Sequence, residues 1–242
     1  MLSKTEIIEG IKGDFLLSSE LIKKSILLSE QIYEVINKIT SALESGNKII
    51  LFGNGGSATD AQHIATEFLG RFKIERNSIP AICLTDNTSL ITALLNDYSS
   101  DIIFSRQCSS LISKNDVVIA ISTSGNSENV RLGLIESKKY GAYCIGLLGN
   151  NGGKIKNLTD LSIVVPSTDT AKIQEVHRVI YHIICDHVEQ LLKWGKMENL
   201  FSVKNKVIII TGAAGDIGFK LLKNLHNSNA IVYGLDKNID IK

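Results

Sequence analysis

No run of 18 apolar residues occurs in this chain, and its opening stretch, MLSKTEIIEGIKGDFLLSSE, breaks every apolar cluster with a charge. The first absence leaves no candidate membrane-spanning helix and the second no hydrophobic region of a secretory signal, so the expectation is a soluble, cytoplasmic protein. Cysteine is sparse: Cys83, Cys108, Cys144 and Cys185 are far apart and form no CxxC pair. Buried free thiols in a reducing compartment fit that spacing better than disulfides or a cysteine metal site. An excess of either charge is also missing, with 26 Lys plus Arg against 25 Asp plus Glu and no basic run interleaved with aromatics. Nucleic acid is therefore not the expected partner, and a small molecule is. What is present, 242 residues at 44% hydrophobic and 21% charged, suffices for one good-sized α/β domain, or one domain plus a fragment.

The most informative stretch is Lys48 to Phe72, KIILFGNGGSATDAQHIATEFLGRF. It reads as a buried strand (Ile49 to Phe52), a glycine turn (Gly53 to Gly56) and a helix opened by Ser57. Glycines let backbone approach an anion closely, and the N–H groups and dipole of a helix N-terminus favour phosphate. The turn lacks the lysine of GxxxxGK[ST] and the spacing of GxGxxG, which excludes the two common nucleotide signatures and points to a smaller phosphorylated ligand. A turn that simply needs glycine explains the same residues.

The device recurs. Asp116 to Ile121 (DVVIAI) is apolar enough for a strand covered on both faces, and it runs into the hydroxyl-rich turn Ser122 to Ser127 (STSGNS) and a helix over Glu128 to Tyr140. Those hydroxyls suit phosphate oxygens, and they equally suit ordinary helix capping. Two such turns on neighbouring strands favour a ligand, because open α/β sheets bind at the carboxyl ends of strands where the winding reverses. Further strands at Ile79 to Leu84, Ala142 to Leu148 and Leu161 to Val165, alternating with helical stretches over 87–113 and 170–196, predict a parallel sheet of about five strands with helices on both faces. Residues 3–45 carry apolar positions at helical spacing and read as one or two long amphipathic helices that pack on their own domain or on a partner.

Two helices offer ligand-capable pairs. His63 and Glu67 lie one turn apart, and Gln174 and His182 lie two turns apart on nearly one stripe. Were the helices to meet, imidazole, carboxylate and amide oxygen could build a tetrahedral divalent site, with Zn²⁺ favoured by the histidines. Exposed polar pairs at this spacing are the alternative. His177 and His187 read as structural or solvated.

In order and spacing, GNGGSATDAQHIATEFLGRF, LLNDYSSDIIFSR, AISTSGNSENV and AKIQEVHRVIYHIICDHVE resemble the sedoheptulose 7-phosphate isomerases (phosphoheptose isomerases) of the sugar isomerase, or SIS, fold. The resemblance covers about residues 1–196. It implies a cytoplasmic homotetramer with active sites at subunit interfaces, acting on a phosphorylated seven-carbon sugar for lipopolysaccharide or other surface heptose. It places the zinc ligands on His63, Glu67, Gln174 and His182. The substrate contacts fall on Asn54, Gly55, Gly56, Ser57, Glu67, Asn96, Asp97, Ser122, Thr123, Ser124, Ser127 and Gln174. Glu67 and His182 take the roles of base and acid. Many members carry Asp three residues before the helix glutamine, where this chain has Ala171, which bears on recognition of sugar hydroxyls. A second class shares the fold, the tetrameric replication-initiator-associating proteins, which bind without catalysing and lack the acid/base pair that Glu67 and His182 supply.

After an expected linker at 197–204 the character changes. KVIIITGAAGDIGFKLLKNLHNSNAIVYGLDKN resembles the first βαβ unit of a short-chain dehydrogenase or nucleotide-sugar epimerase, with a strand at Val207 to Ile210, the turn TGAAGDIG, a helix, and a second strand ending at Asp236. Residues 205–242 thus read as an incomplete Rossmann-like fragment. It has neither the remaining strands nor a catalytic tyrosine and lysine, so productive NAD binding and oxidoreductase activity are not expected of it.

Overall fold

Two apolar strands, β1 (Ile49–Gly53) and β3 (Val117–Ser122), are buried at every position, as near-continuous hydrophobic sequence demands of the centre of a parallel sheet. The computed structural model describes residues 2–192 and 203–237. Its chain divides into two units, Met1–Leu192 and Lys193–Lys242, each with its own sheet. Most of the expected linker, and the expected end of the closing helix beyond residue 192, lie outside the described residues.

In the first unit, β2 (Ala81–Cys83), β4 (Tyr143–Gly149) and β5 (Leu161–Val165) complete a five-stranded, all-parallel sheet in the order β2-β1-β3-β4-β5. The winding reverses between β1 and β3. The two strands are in register with Gly53 opposite Ile121, so both polar turns leave the sheet side by side at the switch point.

Helices cover both faces. On one, Phe52 stacks on Phe104 with centroids 4.9 Å apart, within a core that includes Cys108, Val130, Leu134 and Cys144. Here α5 (Ile103–Leu111) packs on α6 (Glu128–Lys139). Gly133 permits that approach, since a Cβ there would lie 2.9 Å from the Phe104 Cβ and 3.0 Å from the Phe52 ring. On the other face lie α2 (Ser29–Glu44), α3 (Gly56–Leu69) and α8 (Thr170–Leu191), with α8 packed against both others. The amphipathic N-terminal stretch forms α1 (Lys4–Lys24), a 3₁₀ turn (Ser25–Leu28) and α2. A capping box starts α1, with Ser3 Oγ accepting from Glu6 N and the Glu6 carboxylate accepting from Ser3 N. The stretch over 87–113 divides at the polar run NDYSSD (96–101) into α4 (Thr88–Asp97), a 3₁₀ turn (Ser100–Ile102) and α5. A short α7 (Gly153–Lys156) links β4 to β5. All four cysteines are buried free thiols.

One expectation is corrected at the first turn. Ser57 does not open α3; the helix begins at Gly56, with Gly55 as N-cap at φ 54° and no side-chain cap. That left-handed backbone favours glycine, and the Ser57 N–H instead closes the turn onto Asn54 O at 2.9 Å.

The second unit is a single βαβ: β6 (Val207–Thr211), α9 (Asp216–Asn227) and β7 (Ile231–Leu235), with the two strands parallel. Among the described residues no helix is long and apolar enough to cross a membrane.

Candidate active site

The glycine turn and the start of α6 are joined by a reciprocal amide pair: Asn54 Nδ2 donates to Asn129 Oδ1 at 2.8 Å, and Asn129 Nδ2 donates back to Asn54 Oδ1 at 3.1 Å. Asn129, in the first turn of α6, was not legible as a site residue, because its partner is 75 positions away. Neither Ser57 nor Ser127 makes a helix-capping hydrogen bond, so capping does not explain these serines. Ser127 Oγ lies 3.4 Å from Ser122 Oγ, which accepts from Gly125 N at 3.2 Å. Ser124 Oγ accepts from Asn126 N at 3.2 Å, and Thr123 follows Ser122 in the same turn. Asn96 and Asp97 lie at the exposed end of α4, where Asn96 Nδ2 donates to Asp97 Oδ1 at 2.8 Å.

One turn and more along α3, His63 Nε2 is 2.8 Å from Glu67 Oε1. The neighbouring α8 sets the His182 ring edge-on to His63, with centroids 5.2 Å apart. One ligand atom from each of His63, Glu67 and His182 lies within 4.8 Å of the others, the only such group among the described residues. Tetrahedral zinc with bonds of ~2.1 Å needs donors ~3.4 Å apart, so two imidazoles and a carboxylate at this spacing fit a divalent ion after small side-chain adjustments. Burial, then the nearby His63, hold the His182 imidazole below its ordinary pKa, against the opposing pull of Glu67. A neutral ring is the form that ligates a metal.

Gln174 does not join this group within one chain. Its amide stands over Gly56, where a Cβ would meet Gln174 Nε2 at 2.4 Å. Eight residues of helix separate it from His182, ~12 Å along the axis. The stripe seen in the sequence is real, but it spans two places on α3: the glycine turn and the His63–Glu67 pair. At the start of α8, Asp169 caps the helix, its Oδ1 accepting from Ala171 N at 2.9 Å and Lys172 N at 3.3 Å. His177 is fully buried, with its Nε2 3.0 Å from Leu148 O, whereas His187 is exposed.

Several neighbours of the triad were missed by sequence reasoning. Tyr181 Oη lies 2.9 Å from His63 Nδ1 and 3.4 Å from Asp60 Oδ1, and Arg178 reaches the same oxygen at 3.4 Å. Burial raises the Asp60 carboxyl despite Arg178, and burial followed by Asp60 pushes Tyr181 up to about 12. Phe72 tilts over His182 with centroids 5.5 Å apart. Its loop is anchored by Glu189, which accepts from the backbone N–H groups of Phe72, Lys73 and Ile74 at 2.7–3.1 Å. An aspartate three residues before His63 was the one available signal.

In the second unit a separate cleft of about 690 Å³ is lined by Thr211, Gly212, Ala214, Gly215 and Asp236, among others. Asp236, the residue at the ribose position of the fingerprint, accepts from Ala214 N at 3.0 Å and so is engaged with the glycine loop itself.

Residues 16–149 match the SIS domain family. The chain is 47% identical over 187 residues to the phosphoheptose isomerase of Aquifex aeolicus, a match covering 77% of this chain and 98% of that protein. It is 55% identical over 149 residues to the phosphoheptose isomerase of a Nitratiruptor species, covering 62% of this chain and 80% of that one. Among solved structures, phosphoheptose isomerase GmhA from Neisseria gonorrhoeae superposes with a TM-score of 0.73 at 35% identity, over 76% of this chain and 100% of that one.

Proposed function

The chain belongs to the SIS domain family and, within it, to the phosphoheptose isomerases, and from that membership we propose that it converts sedoheptulose 7-phosphate to D-glycero-D-manno-heptose 7-phosphate through an enediol. The observation that carries the proposal for its residues is the meeting of His63, Glu67 and His182 from two helices more than a hundred residues apart. Isomerisation moves one proton between C1 and C2 and another between their oxygens, and needs a base, an acid and stabilisation of a developing oxyanion. Glu67 takes the carbon-bound proton as base. His182 is the partner acid, giving a proton to the substrate oxygen as the enediol forms. A divalent cation, zinc by its donor set, would be held by His63, Glu67 and His182 and would supply a Lewis acid that polarises the substrate oxygens.

At the starts of α3 and α6, the turns at 53–57 and 122–127 hold the phosphate through backbone N–H groups and the hydroxyls of Ser57, Ser122, Thr123, Ser124 and Ser127. Gln174 serves the glycine turn, and Asn96 and Asp97 contact the sugar. The exposed apolar side chains of α1, among them Ile7, Ile11, Phe15 and Leu16, support association into a homotetramer. The product belongs to surface heptose synthesis.

Incubating the purified chain with sedoheptulose 7-phosphate, with and without a chelator, and identifying the product tests this. Aldose formation that is lost with chelator and restored by Zn²⁺ is the expected result. No turnover under any metal condition overturns it.

A further inference from the structure

Tyr181 is buried, 1% exposed, so its hydroxyl must find its partners inside the protein. It has two. Asp60 Oδ1, an acceptor when ionised, lies 3.4 Å away, and His63 Nδ1 lies 2.9 Å away. Burial raises the Asp60 carboxyl and Arg178, 3.4 Å from the same Asp60 oxygen, opposes that rise; Asp60 Oδ2 is buried and has no hydrogen-bond partner. The opposite ring nitrogen, His63 Nε2, faces Glu67 Oε1 at 2.8 Å.

These contacts fit one hydrogen-bond arrangement as they stand, and a second when a cation rather than a proton satisfies Nε2 and Glu67. In one, His63 carries its proton on Nε2 and gives it to Glu67, while the Tyr181 hydroxyl donates to Nδ1. In the other, the hydroxyl turns to donate to Asp60, and its lone pair accepts a proton now on Nδ1. The number of protons is the same in both: one moves from Nε2 to Nδ1 through solvent, and one O–H rotates. Only the second arrangement leaves Nε2 with a bare lone pair directed at the His63–Glu67–His182 cluster.

We propose that Tyr181 is a positioning residue for His63, which with Asp60 as its own acceptor selects the tautomer whose Nε2 is free to bind a divalent cation. This rests on the assignment of His63, Glu67 and His182 as the cation's ligands. Partners of this kind, orienting a ligating histidine through its second nitrogen, change metal affinity by ~10- to 100-fold when removed. The Tyr181→Phe change deletes only the oxygen and keeps the ring that packs edge-on against His182, with centroids 4.8 Å apart.

The test measures Zn²⁺ affinity of the metal-stripped full chain by competition with a chromophoric chelator, for wild type, Tyr181→Phe and Asp60→Asn. The exchangeable Nδ1 proton of His63 is followed by NMR in the zinc-loaded proteins, with thermal midpoints recorded alongside. The expected result is that Tyr181→Phe binds Zn²⁺ about 10- to 100-fold more weakly and loses the protected Nδ1–H signal, with Asp60→Asn weakened in the same direction. Should Tyr181→Phe not fold, Asp60→Asn carries the test. Variants that bind within about twofold of wild type and keep the signal overturn the role of Tyr181 while the ligand assignment stands. A wild-type chain that binds no Zn²⁺ overturns the ligand assignment itself.

Discussion

Glu189 Oε1 accepts from Arg76 Nε at 2.7 Å, and both side chains are 1% exposed, which ties the loop after α3 to the last turn of α8. Three backbone N–H groups of that loop end on the same carboxylate, and Arg76 in turn donates to the carbonyls of Phe68, Gly70 and Asn77. Burial alone would raise the Glu189 pKa, yet these donors outweigh it and hold the carboxyl below its ordinary value. Removing one partner of such a knot strands the others. Glu189→Ala is expected to lose ~3–5 kcal/mol of stability. Urea unfolding of the two proteins checks it, and a loss under ~1 kcal/mol would mean the loop is held by packing alone.

His177 gives stability a pH dependence of its own. Burial pushes its imidazole down to about 4 from 6.5, because a charged ring would sit in the core while its only hydrogen-bonded nitrogen donates to Leu148 O. A folded-state value below the unfolded one means the unfolded chain binds the proton first. The contribution is complete above about 6.5 and is lost as pH falls toward about 4. The slope for one proton is ~1.4 kcal/mol per pH unit. Stability measured between these limits should fall more steeply for wild type than for His177→Gln; equal slopes would show that other groups account for the loss.

For the chemistry, Glu67→Gln and His182→Ala should each lower turnover of sedoheptulose 7-phosphate by ~10²- to 10⁴-fold, the usual cost of a positioned acid or base. Circular dichroism should be unchanged. Near-normal turnover in a folded variant would remove that residue from the mechanism.

Ser57→Ala, Ser124→Ala and Ser127→Ala should raise KM more than they lower kcat, because contacts to a remote phosphate are made alike in ground and transition states. None of these hydroxyls lies in the His63–Glu67–His182 cluster. Steady-state kinetics checks this, with unphosphorylated sedoheptulose as control. Equal turnover of the two sugars would refute the two-turn cradle.

Deleting residues 201–242 should leave isomerase activity intact. The Aquifex aeolicus enzyme matches over 98% of its own length while accounting for 77% of this chain, so the isomerase relative needs no such segment. A lone βαβ leaves Val207, Ile209, Ile231, Tyr233 and Leu235 exposed, and Asp236 is already engaged with Ala214. Calorimetric titration of the full chain with NAD should therefore show no micromolar binding. Saturable binding there, or an inactive truncation, would give the segment a function.

The strands, helices and two polar turns could be read from the chain because each depends on local pattern. Continuous apolar runs became central strands, and the polar break at 96–101 became the division between α4 and α5. The pairing of His63 with Glu67 was likewise local, being set by the pitch of a single helix. Which residues of α8 join that pair was not local. Periodicity put Gln174 and His182 on one stripe, but the way α8 lies along α3 sent Gln174 to Gly56 and His182 to His63. The same packing brought up Tyr181 and Asp60, and the pairing of β1 with β3 brought up the Asn129 amide; their partners lie 75 to 121 positions away. The sequence by itself determined the kinds of side chain available, the helix faces that carry them and the order of the strands along the chain, since these follow from propensity and spacing. The tertiary structure alone decided which of them share a site, because helix-on-helix contact is chosen by side-chain packing along the whole interface and leaves no periodic mark at the positions it brings together.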